Sequence, residues 1–142
     1  MIKKSKSVLS AMKADTYRQY GKFSWRGLIL GALTRRTFRV IVTMRLCHIA
    51  KYSRGIMRLA LPLFKVLHQL AAHNAAVDFP WKTEIGPGLA ITHGWGVVVN
   101  QRARIGANVT LFHGVTLGRR DRTTRSYFTR WEQSDGVSCF GG

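Results

Sequence analysis

Apolar positions recur at spacings of three and four from Leu28 to about Ala76, the signature of helices with one buried stripe. Phe38, Ile41, Val42, Leu46 and Ile49 form one such series, with Arg45 inside it. A second helix is predicted over Arg58 to Ala72, with Leu59, Leu63, Val66, Leu67 and Leu70 on one side. Gly55 is a natural break between the two. Pro62 suits a first turn better than a helix interior, so the second helix is expected to start late. Residues 1 to about 25 are polar and basic, with aromatic residues only toward their end. They read as a loosely structured lead-in.

At Val77 the pattern changes. Helix formers thin out, and Gly, Val, Ile and Thr dominate to Gly118. A period of six appears at Phe79, Ile85, Ile91 and Val97. It slips by two and resumes at Val99, Ile105, Leu111 and Leu117. A second series follows four residues later, at Leu89, Trp95, Ala103, Val109 and Val115. One short strand and one tight corner use about six residues, and three such faces close a triangular coil. Phe79 to Val97 is about one coil and Val99 to Leu117 another. Gly86, Gly106, Gly118, Asn108 and Gly114 have the residue types that corners require. An antiparallel meander would alternate with period two, which is weak here. The predicted fold is α+β: N-terminal helices followed by a short parallel β-helix of about two coils. The expected organisation is a basic helical region over 1–76, the β-helix over 77–122, and an irregular tail over 123–142.

A hydrophobic content of 46% supports a folded core. Charge changes the picture more: Lys and Arg number 23 against 6 Asp and Glu, a formal net charge of +17. Such a chain is drawn to polyanions: nucleic acid, anionic lipid or a phosphorylated cofactor. The cations punctuate apolar segments instead of forming one tail, and no helix-turn-helix, zinc-finger or RNA-recognition signature accompanies them. Nucleic acid is therefore the least favoured partner. The basic rims of the helical stripes have two readings. One is a solvated charged face over a core, which is preferred because Lys and Arg stems commonly edge packed helices. The other is adhesion to an anionic membrane surface. Cations interrupt every candidate span, and the basic start has no long apolar stretch, so neither a spanning helix nor a secretory signal is read. The expected compartment is the cytoplasm, with a peripheral position at the membrane as a variant. Cys47 and Cys139 form no disulfide framework, and no metal site is expected.

Several segments together resemble the hexapeptide-repeat O-acetyltransferases, left-handed β-helix enzymes, and within them the serine acetyltransferase branch. They are Val77-Asp78, Ile85-Gly86-Pro87-Gly88-Leu89, His93-Gly94-Trp95-Gly96-Val97-Val98, Ala103-Arg104-Ile105-Gly106 and Gly114-Val115-Thr116-Leu117-Gly118. Asp78 precedes His93 by 15 positions, as in the family motif, and Arg45-Leu46-Cys47-His48 resembles its Arg-x-x-His helix element. The likeness covers roughly residues 40 to 122. It implies a left-handed hand for the coil and transfer of acetyl from acetyl-CoA to a small-molecule hydroxyl, serine or a sugar; for serine this is a step of cysteine biosynthesis. It also implies a homotrimer with sites between subunits. His93 would be the general base, a task suited to a side chain that ordinarily titrates near neutrality. Asp78 would orient its imidazole. Backbone N–H groups of Gly94 to Gly96 are candidates for the oxyanion.

Gly118 would line the cofactor, and Arg119 and Arg120 would meet its phosphates, or else form a solvated corner. Thr92 and Arg122 fall at substrate-contact positions. Typical serine enzymes carry an aspartate where Thr92 stands and an Asp-Arg-His element where Asp121-Arg122-Thr123 stands. Their N-terminal domain is longer and acidic. These departures loosen serine specificity and resemble the short acetyltransferases of polysaccharide or capsule biosynthesis. After Arg122 the period of six stops. The expectation is a chain truncated relative to the family, or a tail of about 20 residues from a shifted frame. Two other readings stand beside the enzyme: a membrane-surface protein that keeps the coil as a scaffold, and a nucleic-acid-binding fragment.

Overall fold

The computed structural model describes residues 2–118 and the pair 139–140. Five helices come first: α1 (Ile2–Tyr20), α2 (Trp25–Thr34), α3 (Arg36–Tyr52), α4 (Ile56–Leu59) and α5 (Leu61–Asn74). The lead-in read as loose is therefore a 19-residue helix. Its apolar residues are few, which hides it from periodicity. Tertiary contact holds it: Ala11 and Met12 are buried, and Asp15 and Thr16 are wholly enclosed. The predicted break falls at Gly55, which adopts φ +69, and Pro62 lies in the first turn of α5. A further break, between α2 and α3, centres on Arg35 in an extended conformation. There Arg39 Nε donates to the Ala32 carbonyl at 2.7 Å, tying the start of α3 back to α2.

Central to the helical layer is α3, with Phe38, Val40, Ile41, Met44, Cys47 and Ala50 all buried. Burial pushes the Cys47 thiol up to about 11, so it is an inert packing group at neutral pH. On α5 the outcome differs from the pattern. His68 and Ala71 face the core, whereas Leu59, Leu63, Val66, Leu67 and Leu70, predicted to form the buried stripe, are exposed. The apolar stripe lies outward because the small and polar side fits against α3. His68 Nε2 donates to the Phe79 carbonyl at 2.6 Å, and its Nδ1 lies 3.1 Å from the Thr43 hydroxyl.

Six two-residue strands follow: β1 (Glu84–Ile85), β2 (Ala90–Ile91), β3 (Val98–Val99), β4 (Arg104–Ile105), β5 (Thr110–Leu111) and β6 (Thr116–Leu117). β1 pairs with β4, β2 with β5 and β3 with β6, all parallel. The chain thus runs along three ladders in order and then returns to add a second rung to each. A seventh strand, β7 (Cys139–Phe140), pairs antiparallel with β6. Seven of the eight hexad positions are buried, Phe79, Ile91, Val97, Val99, Ile105, Leu111 and Leu117, and Ile85 is half-buried. Asn108 (φ +58) and Gly114 (φ +69) take the left-handed conformation at corners.

Helices and ladders are joined by one buried ion pair. Arg45 Nε meets Asp15 Oδ2 at 2.8 Å, with both side chains at most 2% exposed. The same aspartate accepts from the Gly88 and Leu89 N–H groups, each at 2.8 Å. Arg45 donates onward to the carbonyls of Ile85 (2.9 Å) and Gly86 (2.6 Å). Each nitrogen of the guanidinium and each oxygen of the carboxylate is hydrogen-bonded, the condition under which a buried pair is tolerated.

Candidate active site

Register shows where the site begins. β1 and β4 are offset by 20 residues, as are β2 and β5, but β3 and β6 by 18. The corners after β1, β3, β4 and β5 each hold four residues, whereas the corner from Thr92 to Val97 holds six. The two-residue slip in the hexad is this longer corner, and it carries His93.

Its shape needs unusual backbone. His93 sits at φ +52 and Gly96 at φ +68. Left-handed φ is uncommon for a side chain other than Asn, Asp or His. A Cβ on Gly94 would lie 2.5 Å from Ile91 Cγ2 and 2.9 Å from Thr37 Cγ2, so only glycine lets the corner press on the start of α3. The Trp95 N–H donates to the His93 carbonyl at 2.7 Å, and the Gly96 N–H to the Ala76 carbonyl at 2.9 Å. Of the three N–H groups considered for an oxyanion, two are therefore already engaged. That of Gly94 has no bond among the described residues.

The imidazole of His93 is exposed and borders a cleft of about 340 Å³. The cleft is lined by Thr92, Gly94 and Trp95 of the corner, by Thr34 to Thr37 of the α2–α3 junction, and by Gln19, Ala75 and Ile91. Arg36 stacks on the Trp95 ring with its guanidinium carbon 3.8 Å from the ring centroid. Among the described residues two arginines and no carboxylate line this space, so its field favours an anion. The contribution of the α2–α3 junction was not anticipated from the sequence. Its one signal was the Arg35-Arg36 pair, indistinguishable there from any other basic doublet in so basic a chain.

Asp78, exposed between the buried Val77 and Phe79, bridges in parallel to Val98, exchanging main-chain hydrogen bonds with Val97 and Val99, both at 2.8 Å. It is thus on the rung next to the His93 corner. Among the described residues no hydrogen bond or ion pair joins the Asp78 carboxylate to His93. His113 is exposed on the corner that follows β5, where Gly114 donates to the Trp95 carbonyl at 2.9 Å. Gly118 is exposed, and a Cβ there would meet nothing within 4 Å. Arg119, Arg120 and Arg122 lie outside the described residues. Among the described residues no group of three His, Cys, Asp or Glu could hold a metal. His48 is not among the residues lining the cleft and has a positioning role: its Nε2 donates to the Trp81 carbonyl at 2.6 Å.

Helices that back three parallel ladders, with one enlarged corner presenting a histidine to a cleft, define a class of parallel-coil proteins with a helical cap. Known proteins narrow the class. No family model matches the chain. A Helicobacter pylori serine acetyltransferase is 44% identical over 54 residues, which is 38% of this chain and 32% of that protein. One from Bacillus pumilus is 36% identical over 93 residues, 66% of this chain and 41% of that protein. Among solved structures, the soybean serine acetyltransferase apoenzyme matches 79% of this chain and 44% of its own, at 31% identity and a TM-score of 0.55. The same soybean enzyme complexed with serine matches at 27% identity and a TM-score of 0.53, covering 84% of this chain and 46% of its own. The chain spans less than half the length of these relatives. Over the residues they share, it is serine acetyltransferase-like.

Proposed function

We propose that this chain is an acetyl-CoA-dependent O-acetyltransferase of the serine acetyltransferase type, built on a left-handed β-helix of about two coils and acting as a homotrimer. The observation that carries the reading is His93 on an enlarged, left-handed-φ corner beside a cleft, in a chain similar to serine acetyltransferases. An acceptor hydroxyl in the cleft gives its proton to the His93 imidazole as its oxygen attacks the thioester carbonyl. The C–S bond then breaks, and the CoA thiolate leaves with the proton returned from the imidazolium. Asp78 orients the imidazole in the assembled site, and the uncommitted Gly94 N–H is the nearest candidate for the developing oxyanion. Gly118, Arg119 and Arg120 serve the cofactor, and Thr92 and Arg122 the acceptor, by position in the motif.

The acceptor is a small hydroxyl compound, serine or a sugar. The soybean relative's serine complex supports the first, while Thr92 and the Arg35–Arg36 wall suit an acceptor bearing negative charge. The test is thiol release from acetyl-CoA across a panel of L-serine and neutral and acidic sugars. His93→Ala is expected to lower kcat by about 10²–10⁴-fold while the circular dichroism spectrum stays unchanged. Equal rates for the variant and the parent would reject His93 as the base.

A further inference from the structure

We infer that the outer face of α4 and α5 is a docking surface for an anionic lipid bilayer, on which the molecule lies without crossing it. Ile56 and Leu59 on α4 and Leu63, Val66, Leu67 and Leu70 on α5 recur at helical spacing as an exposed apolar strip, beside the side that His68 and Ala71 bury. Ile56 is 82% and Leu59 79% exposed, and the other four are all above 40%. On α5 the strip spans Leu63 to Leu70, roughly 12 Å of helix, and Ile56 and Leu59 extend it on α4. A contiguous apolar surface of this kind on a folded protein marks an interaction site.

Charge identifies the occupant. Neither α4 nor α5 carries an acidic residue. Lys51, Lys65 and Lys82 converge on the half-buried Trp81 ring, with their ammonium groups 5.9, 4.8 and 5.9 Å from its centroid. Arg54 and Arg58 are exposed in the same segment of chain. An exposed apolar helix face free of acidic residues, with a lysine-capped tryptophan packed beside the same helix at Lys65, matches the boundary between acyl chains and anionic headgroups. Nucleic acid would use the cations but leave the leucines in water. A second copy of the chain would bring the same cations together. No described helix is long and apolar enough to cross a membrane, which fits a surface position.

The experiment uses the full chain with vesicles of phosphatidylcholine alone and of phosphatidylcholine mixed with phosphatidylglycerol. Co-sedimentation is expected with the mixed vesicles only, weakening as salt rises. Because the whole chain is basic, the deciding variant is Leu63→Ser/Val66→Ser/Leu70→Ser, which leaves the charge unchanged. It is expected to weaken binding at least about tenfold. A variant retaining only Trp81 of the four tryptophans should show a blue-shifted emission on mixed vesicles. Binding that the triple variant leaves intact overturns the inference, as does equal binding to neutral vesicles. So does self-association in solution that disappears in the triple variant while vesicle binding is absent from the parent. If the triple variant fails to fold, the Trp81 emission decides alone: no shift on mixed vesicles overturns the inference.

Discussion

His48 and His68 each give a ring N–H to a main-chain carbonyl near the start of the ladders, that of Trp81 and that of Phe79. A carbonyl can only accept, so Nε2 carries hydrogen in both, and the neutral His68 ring offers Nδ1 to the Thr43 hydroxyl. Burial is the main force pushing His48 down to about 4 from 6.5; its bond to the Trp81 carbonyl opposes this, and nearby Arg45 and Lys51 add to it. Burial likewise lowers His68. The sign of the consequence follows. Between the two values the unfolded chain binds the proton and the folded chain does not, so stability is present above pH 6.5 and is lost as pH falls toward 4. For His48 the effect is at most about 3 kcal/mol. Thermal melts at stepped pH should show a falling Tm below pH 6.5, and His48→Gln should flatten that fall. A melt insensitive to pH in the parent would remove the assignment. The sequence offered His48 only within an Arg-x-x-His element; the carbonyl it bonds lies 33 residues away and could be found only in the fold.

At the scale of elements, α1 depends on one carboxylate. Asp15 links a helix with few apolar residues to Arg45 on α3 and to the turn after β1. Asp15→Ala would leave the Arg45 guanidinium buried without its counter-ion and two N–H groups without their acceptor. The expected loss is about 3–5 kcal/mol, readable by urea denaturation. A loss below about 1 kcal/mol would mean that the turn finds its order elsewhere. Apolar pattern could not reveal α1 as an ordered element, because much of its hold is polar and long-range, centred on an ion pair across 30 residues. The ladders were legible for the opposite reason. Each hexad position repeats the same inward contact, so seven buried residues write one signal. The slip in that signal was visible in the sequence as well. Its meaning, an enlarged corner holding His93, became clear only from the register of the paired strands.

For the whole molecule, charge is the dominant long-range property. Between residues 2 and 118 the only acids are Asp15, Asp78 and Glu84; the first is buried, and the last pairs with Arg104 at 3.1 Å. A field so uncompensated favours a co-substrate that carries phosphates. On the proposed function, raising ionic strength from about 0.05 M to about 0.5 M should raise the KM for acetyl-CoA several-fold while kcat changes little, since the Debye length shrinks to a few ångströms. A salt-independent KM would mean that the cations do not serve the cofactor. The same field, joined to the exposed strip on α4 and α5, is the basis for a bilayer surface as partner.

Sequence by itself determined the period of the coil, the helical character of 28–76 with its break at Gly55, and the motif that singles out Asp78 and His93. These are local: each follows from spacing along the chain. Tertiary structure decided which side of α5 is buried. Hydrophobicity placed its leucines inside, yet α3 accepts the flank where His68 bonds both Thr43 and Phe79, and the leucines face outward. It also decided that Arg35 and Arg36 share a cleft with His93, because only the packing of the α2–α3 junction against Gly94 brings residues more than 50 positions apart to one opening. Periodicity reports that a face is apolar; the shape and polar bonds of the neighbouring element determine whether that face is covered.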